Sequence, residues 1–240
     1  MLKAGFQKIL ERMKADGAKG LQWEHLDPTS FTNEVIAAYG ATTLELVKSV
    51  KIDIDKAGYG NNFCGLSKHA RQNIRTAYNR VLRSGHEMEF KFFSNLGIGH
   101  KFPNNKGICA YRKVYKMRQE MRYGRHAGLK HSIVLKYCNY TTMSVPGEVG
   151  FLAALHIRDD VAAYMEGYIN SSSGALEIPR LAIGAGYDSY SPGLLLISEC
   201  AKFLLHNTKL RIIDLCRGAE PYKIAAGGEV YNTYKKIVRL

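Results

Sequence analysis

Hydrophobic residues recur with two different spacings along the chain, and each spacing predicts a different kind of element. Apolar residues three and four positions apart predict an amphipathic helix over residues 2–16. The Asp27-Pro28 pair suits a helix start, so a second helix is predicted from there to Gly40. Alternating apolar and polar residues over 42–54 predict one long strand or a bent pair of strands.

A strongly basic helix is predicted after a glycine-rich loop at 57–65. Ser67 is its expected N-cap, and Gly85 is expected to end it. Its expected apolar face consists of Ile74, Tyr78, Val81 and Leu82. Its charge comes mainly from Lys68, Arg71, Arg75, Arg80 and Arg83. Beyond it, the sequence predicts a strand over 86–94 and two helices rich in Lys, Arg and Tyr over 108–123 and 126–139.

The pattern becomes that of a sheet after residue 150. Three strand-like runs, 151–157, 161–169 and 175–186, are joined by short polar connections, which favours an antiparallel meander. Pro179 cannot donate to a sheet ladder, so the third run is expected to be an edge strand or to contain a bulge. The chain then predicts a helix over 194–207, a buried strand over 211–216, a loop over 217–223 and a final strand over 229–238.

The composition is that of a globular protein, since 46% of the 240 residues are apolar and 23% are charged. The five cysteines are widely spaced and include no CxxC pair, so reduced thiols are expected and no metal site is predicted. Charges interrupt the first helix, which therefore does not resemble a signal peptide. The most apolar stretch, 192–205, is too short and too polar to span a bilayer. We therefore expect a soluble, cytoplasmic α/β protein with no integral membrane segment.

A surplus of positive charge favours anionic partners. Lys and Arg number 34 and Asp and Glu number 21, so the formal net charge is +13. Nucleic acid, CoA, a nucleotide-sugar, an acyl-tRNA and an anionic membrane surface all satisfy this condition. Charge alone does not choose among them, and it fits a solvated basic surface equally well.

The start of the helix after residue 190 has the ingredients of a phosphate-binding site. Ser191 can cap the helix, Pro192 suits its first turn, and Gly193 presents its N–H without a side chain. Leu194 and Leu195 add further backbone N–H groups at the positive end of the helix dipole. Taken alone, such a motif more often marks an ordinary capped helix. The candidate cofactor-binding residues are Ser191, Gly193, Leu194 and Leu195.

Two motifs resemble those of one family. The first consists of Tyr190, Ser191, Pro192 and Gly193, followed by Asp214, Arg217, Gly218, Glu220, Tyr222 and Lys223. The second is the basic helix, through Leu66, Ser67, Lys68, Arg71, Ile74, Arg75 and Arg80. Together they resemble the acyltransferase domain of the GNAT superfamily, in the form found in cellulose-biosynthesis-type acetyltransferases, which is related to the FemAB-like transferases. The resemblance covers residues 66–223, and Ala219 stands where the family has an acidic residue.

The resemblance implies a fold and a division of the chain. The fold is of the α/β (α+β) class, with a GNAT-like, mostly antiparallel central sheet flanked by helices. Residues 61–240 would form the acyltransferase domain. Residues 1–60 would form a helix-and-strand segment that corresponds to a truncated first lobe, because longer relatives carry a full additional lobe there.

The resemblance also implies an activity. The protein would be an acyl-CoA-dependent N- or O-acyltransferase that uses acetyl-CoA or another acyl-CoA as co-substrate. Its acceptor would be a small molecule, glycan or peptide, such as a sugar or cell-envelope precursor. Acyl transfer needs a general base for the attacking group and an acid for the departing thiolate.

The implied roles fall on particular residues. Tyr222 is the candidate acid, and Glu166 is a candidate base acting through water. Asp214 is either a functional carboxylate or a structural partner of Arg217. The candidate substrate-binding residues are Arg71, Arg75, Arg217, Glu220 and Lys223.

Three other functions stay open at the level of sequence. A FemAB-like transferase would take its acyl group from aminoacyl-tRNA, which suits the basic charge. A nucleic-acid-binding module would stack bases on the aromatic residues interleaved with Arg over 108–137. A non-catalytic scaffold would bind neither acyl-CoA nor acceptor. The sequence does not specify an oligomeric state.

Overall fold

The computed structural model describes residues 2–26, 31–94, 96–124, 149–171 and 173–240. The helices within these ranges are α1 (Leu2–Ala15), α2 (Phe31–Ala37), α3 (Ile54–Ala57), α4 (Lys68–Arg83), α5 (Asn105–Tyr123), α6 (Pro192–Asn207) and α7 (Pro221–Ala225). The strands are β1 (Gly20–Leu26), β2 (Thr42–Asp53), β3 (Met88–Ser94), β4 (Val149–Ile157), β5 (Asp160–Asn170), β6 (Ala175–Ile183), β7 (Ile212–Arg217) and β8 (Glu229–Arg239). The predicted helix over 126–139 and the predicted helix start at residues 27 and 28 lie outside the described residues.

Two compact units account for the chain. The first comprises residues 1–50, 216–219 and 230–240, and the second comprises residues 51–215 and 220–229. The predicted boundary near residue 60, between a truncated lobe and an acyltransferase domain, stays a prediction.

The first unit contains strands β1, β8 and β2 in that order. β1 pairs with β8 in antiparallel register, so residues about 210 positions apart in sequence lie side by side. The unit's buried cluster consists of Leu10, Ile36 and Val238, with aromatic residues such as Phe6 and Trp23 packed around it. β1 is absent from the sequence prediction.

The second unit carries a sheet with the strand order β7-β6-β5-β4-β3. β4, β5 and β6 form an antiparallel meander, β3 pairs with β4 in antiparallel register, and β7 pairs with the start of β6 in parallel. The predicted meander is therefore confirmed. So is the predicted fold class, a mixed and mostly antiparallel sheet flanked by helices.

Side chains on both faces of this sheet are buried. On one face Phe92 stacks on Phe203 of α6, with 4.7 Å between the ring centroids. The core of the other face consists of Phe93, Leu152, Ala154, Tyr164 and Ala182. Alternation along each strand divides the residues between these two faces, as the period of a β-strand requires.

β6 contains the bulge that Pro179 predicts. The register passes from Glu166 opposite Arg180 to Tyr168 opposite Glu177, so two residues of β6 stand against Gly167 alone. A Cβ atom on Gly167 would lie 1.9 Å from the Glu177 carbonyl oxygen, so no larger residue fits without a backbone shift. β6 as a whole lies between β5 and β7, but Pro179 falls in the part of β6 that β7 does not pair, so this position combines the bulge with a free edge.

β6 and β7 pair over a short stretch only. Ala175–Glu177 match Ile212–Asp214 in parallel register, and no further pair joins these two strands among the described residues. Beyond Glu177, β6 continues past the bulge to Ile183 without β7 at its side. This part of β6 leads, through a 3₁₀ turn at Asp188–Tyr190, into α6.

The basic helix forms as predicted at α4. The Ser67 hydroxyl accepts a hydrogen bond from the Ala70 N–H at 3.1 Å, and so caps the helix. Ile74 and Val81 are buried, as the apolar spacing predicts. Leu82 is 76% exposed, however, because it lies one helical position beyond the buried stripe and faces outward.

Two short helices are absent from the sequence prediction. α3 lies between the predicted strand over 42–54 and the predicted loop over 57–65, and α7 begins in the predicted loop over 217–223. They span four and five residues, too few for a helical period to appear in the sequence. In the part of the chain that the structure describes, no helix combines the length and apolarity needed to cross a bilayer.

Candidate active site

A cleft of about 760 Å³ lies within the second compact unit. Its walls come from α4, the end of β6, the first turn of α6, and α7. The lining residues include Ser67, His69, Asn73, Thr76 and Arg80 from the α4 side, Ile183 from β6, Ser191, Gly193 and Leu194 from the α6 side, and Pro221, Tyr222 and Ile224 from α7. This volume is in the range of small-molecule sites.

The first turn of α6 reaches the cleft through a strained residue. Ser191 has φ of 52° and ψ of 49°, a left-handed conformation, and its hydroxyl makes no capping bond to the described helix. Ser191 therefore caps through its backbone, because its carbonyl accepts the N–H groups of Leu194 at 3.0 Å and Leu195 at 3.3 Å. A phosphate would have to compete with this carbonyl for both amides.

Gly193 occupies the second position of α6, where a backbone N–H has no acceptor four residues earlier within the helix. A Cβ atom there would lie 3.4 Å from the Ile183 side chain. An alanine would therefore just fit, whereas a larger side chain would extend into the cleft or against β6. Of the predicted cofactor-binding residues, Gly193 therefore comes closest to the expected role, which is to offer a backbone N–H to a phosphate.

Arg80 brings a positive charge to the cleft, across from the first turn of α6. Its Nη1 donates to the Ser189 carbonyl at 2.9 Å, which attaches α4 to the turn that precedes α6. The sequence motif contains Arg80, but it is not among the predicted site residues. A helical period counted from His69 would have found it, because His69, Asn73, Thr76 and Arg80 lie on one face.

Arg71 and Arg75, the predicted substrate-binding residues of α4, do not line the cleft. Arg75 is exposed and Arg71 is half-buried, and both lie on a different face of the helix from Arg80. Their role in binding stays a prediction.

Tyr222 lines the cleft from α7. Burial raises the pKa of its hydroxyl well above the ordinary value, and the negative charge of Glu220 raises it further. The hydroxyl is therefore protonated at neutral pH and able to donate. This is the state that a general acid requires before the reaction.

Asp214 stands where the two parallel strands separate. It is half-buried on β7 and lies opposite Glu177 in the last residue pair that joins β6 and β7. Arg217 ends β7 and is exposed. The structure thus places Asp214 beside the unpaired part of β6, but not in the lining of the cleft.

Glu220 and Lys223 hold α7 in position. The Lys223 side chain is 6% exposed, and its Nζ donates to the Leu215 carbonyl at 2.9 Å and pairs with Glu220 at 3.0 Å. These bonds fix α7, and with it Tyr222, against the end of β7. A substrate contact by Glu220 or Lys223 stays a prediction.

Glu166 lies on the other face of the sheet, away from the lining of the cleft. One carboxylate oxygen accepts from Arg112 Nε and the other from Arg180 Nη1, both at 2.7 Å. The Glu166 side chain is 5% exposed. The pair of bonds joins α5 to β5 and β6. Both carboxylate oxygens are therefore already engaged by arginines, and the side chain is closed off from solvent.

The family model of the acetyltransferase (GNAT) domain matches residues 68–224, which is more than half of the chain. The chain belongs to this family. The match begins with α4 and ends within α7, so it includes most of the residues that line the cleft. No curated protein sequence matches the chain.

Several solved structures share the fold. The C-terminal domain of a putative lysylphosphatidylglycerol synthetase from Agrobacterium fabrum is 10% identical, with a TM-score of 0.61 over 96% of this chain and 70% of that one. FemX is 10% identical, with a TM-score of 0.61 over 100% of this chain and 76% of FemX. A tandem GNAT protein from the clavulanic acid biosynthesis pathway is 12% identical, with a TM-score of 0.54 over 95% of this chain and 66% of that protein. At these identities the likeness shows the fold.

Among the described residues of this chain, no three or more His, Cys, Asp or Glu side chains are placed together to hold a metal ion.

Proposed function

We propose that this GNAT-family protein transfers an acyl group from acyl-CoA to an amine or hydroxyl. One observation carries the proposal. β6 separates from β7 after three residue pairs and leads, through the turn at 184–191, to the first turn of α6, beside a cleft. The unpaired edge of β6 offers backbone groups to the amides of an extended pantetheine arm, as a neighbouring strand would.

The pyrophosphate end of CoA fits the first turn of α6. In our proposal the Gly193 N–H donates to a phosphate oxygen, and the positive end of the helix dipole favours the negative charge. Arg80 supplies a second, fully charged donor on the opposite wall of the cleft. The volume of about 760 Å³ is sufficient for this part of the ligand.

Tyr222 is the proposed acid. The acceptor's nitrogen or oxygen attacks the thioester carbonyl carbon, the carbon–sulfur bond breaks, and the Tyr222 hydroxyl gives its proton to the departing sulfur. The raised pKa of Tyr222 keeps this proton in place until the thiolate forms. We propose Asp214 as the group that takes the acceptor's proton through water, because it marks the point where β6 becomes unpaired.

Glu166 has a structural role in this proposal. Its two oxygens are occupied by Arg112 and Arg180, and it does not line the cleft, so it is not placed to take a proton from an acceptor bound there. The proposed acceptor class is a sugar or cell-envelope precursor, with Arg217 and Glu220 as contacts. This class rests on the resemblance to cellulose-biosynthesis-type acetyltransferases. The proposed compartment is the cytoplasm, where free thiols such as Cys64 and Cys109 stay reduced.

A FemAB-like transferase that uses aminoacyl-tRNA is the second candidate. The observation in its favour is the higher TM-score with FemX, 0.61, than with the tandem GNAT protein, 0.54. It predicts binding of charged tRNA and no stabilisation by acetyl-CoA.

The thermal midpoint in the presence of millimolar acetyl-CoA tests the proposal. A ligand at about 100 times its dissociation constant adds about 2.7 kcal/mol to the free energy of unfolding. For a protein of this size that corresponds to a rise of roughly 5–10 °C. Gly193→Leu should abolish the rise, because the new side chain would either extend into the cleft or push the first turn of α6 away from Ile183 and Leu181 of β6.

Gly5→Leu is the matched control, since nothing lies within 4 Å of a Cβ atom at Gly5. This variant should keep the full rise. The proposal is wrong if wild type shows no rise with any acyl-CoA, and stabilisation by charged tRNA would then favour the second candidate.

A further inference from the structure

Helix α4 has three distinct faces. Successive residues of an α-helix are about 100° apart around its axis. The core face carries Ala70, Ile74, Ala77 and Val81, which are buried. The cleft face carries His69, Asn73, Thr76 and Arg80. Tyr78 lies between the core face and the rest of the helix, where it is half-buried and donates to Glu199 of α6. The remaining face, here called the outer face, consists of Lys68, Arg71, Gln72, Arg75, Asn79, Leu82 and Arg83.

The outer face is positively charged throughout. Lys68, Arg75 and Arg83 are exposed and Arg71 is half-buried, and α4 contains no acidic residue. None of these four cations forms an ion pair with any residue in the described ranges. They extend over about 22 Å, at 1.5 Å per residue. An array of this kind costs repulsion energy unless a polyanion neutralises it.

We propose that the outer face of α4 binds the phosphodiester backbone of a nucleic acid. Three of its four cations are arginines, whose planar fork matches phosphate oxygens. Gln72 and Asn79 lie between them, and amide side chains also donate to phosphate. This binding does not depend on the acyl-CoA proposal, because no residue of the outer face lines the cleft.

The same geometry disfavours an anionic membrane as the partner. A helix that lies in the interface of a bilayer inserts a broad apolar face into the lipid. The apolar face of α4 is packed inside the protein, and Leu82 is the one hydrophobic residue among the seven of the outer face. The outer face therefore offers charge and hydrogen bonds, which suit a hydrated phosphate backbone.

Fluorescence anisotropy with the full chain tests the proposal. The probes are a labelled single-stranded RNA of about 20 nucleotides and a DNA duplex of similar length, at salt concentrations from about 50 to 200 mM. The combined variant R71Q, R75Q and R83Q should weaken binding to either probe at least tenfold. It should also lower the slope of log K against log salt by about two to three, since each lost phosphate contact removes roughly one.

The control variant K8Q, K14Q and K209Q removes the same charge from exposed lysines elsewhere. It should lose less than threefold in affinity. Thermal midpoints without ligand establish that both variants fold, whatever the result with acetyl-CoA. Equal losses in the two variants would overturn the proposal, as would no binding at the lowest salt. Stronger binding to anionic lipid vesicles than to either nucleic acid, lost in the arginine variant, would also overturn it.

Discussion

Two ionisable side chains, the half-buried Tyr222 and the buried Glu166, differ in what surrounds them. Tyr222 lines the cleft, and burial together with Glu220 keeps its hydroxyl protonated. Glu166 lies on the opposite face of the sheet between two arginines, each of which donates to one of its oxygens. A group that must exchange a proton needs access to substrate and an available oxygen. Of the two, only Tyr222 has both.

Replacing Tyr222 with Phe removes the proposed acid and leaves the shape of the cleft. General acid catalysis contributes about 10²–10⁴ in rate, so kcat should fall by at least about 100-fold. The dissociation constant for acetyl-CoA should stay within about twofold, because the phosphate contacts are unchanged. Steady-state kinetics and calorimetric titration measure the two quantities. Unchanged turnover would remove Tyr222 from this role.

The pH profile of kcat gives an independent check on Tyr222. An acid works only while it holds its proton, so activity due to Tyr222 is lost only as the pH rises through its folded pKa. That pKa is raised above the ordinary tyrosine value of about 10. The wild-type profile should therefore show no alkaline decline assignable to Tyr222 below about pH 10.

Replacing Glu166 with Gln should reduce stability and leave the chemistry intact. Breaking a buried ion pair costs about 3–5 kcal/mol, so the thermal midpoint should fall by roughly 6–20 °C. The control is Glu89→Gln, which removes an exposed carboxylate paired with Lys91 and should hardly change the midpoint. If E166Q were stable and lost kcat by about 100-fold, Glu166 would be the general base after all.

At the scale of elements, β6 positions both parts of the proposed acyl-CoA site, its own unpaired edge and the first turn of α6. The bulge opposite Gly167 redirects the strand just after its last pair with β7. The same strand then ends at Ile183, which contacts the position of Gly193. The unpaired edge of β6 and the first turn of α6 are therefore both set by one local irregularity in the sheet.

Replacing Gly167 with Ala should disturb this arrangement. The new methyl group would lie 1.9 Å from the Glu177 carbonyl oxygen and 2.8 Å from Pro179 Cδ. The bulge must shift, which costs roughly 1–3 kcal/mol, and acetyl-CoA affinity should fall at least tenfold. Gly5→Ala is the control, where nothing lies within 4 Å and affinity should not change. A folded G167A protein with wild-type affinity would show that the bulge does not shape the site.

The elements that could be predicted from sequence are those with a strong local signal. α4 has a capping serine and a helical period, and the β4–β6 meander has alternation with short connections. β1 has no such signal, because it is a strand through its pairing with β8 at the far end of the chain. The separation of β6 from β7 is likewise a long-range property that no local pattern records.

The site residues could be predicted only in part, for a related reason. The motifs contain Gly193 and Tyr222, and both line the cleft. The charge of Arg71 and Arg75 makes them candidates for substrate binding, but neither lines the cleft. The helical period assigns the cleft face to Arg80 and its neighbours. Which face of a helix meets a cavity depends on the packing of its buried stripe. Ile74 and Val81 mark that stripe, so this information was present in the sequence.

At the scale of the whole molecule, the proposed chemistry belongs to one part of the chain. Every residue that lines the cleft falls in the second compact unit, and the GNAT family model covers residues 68–224. The net charge of +13 and the basic outer face of α4 attract polyanions, which is a property separate from acyl transfer. The two proposals can therefore be tested separately on the same protein.

The most direct test of the central claim is amide hydrogen exchange with and without saturating acetyl-CoA. The account predicts slower exchange in residues 178–183, the part of β6 that β7 leaves unpaired, and at Gly193. Exchange in β3 and β4 should stay as it is without ligand. Saturating acetyl-CoA that leaves residues 178–183 and Gly193 unprotected would contradict the proposed acyl-CoA site.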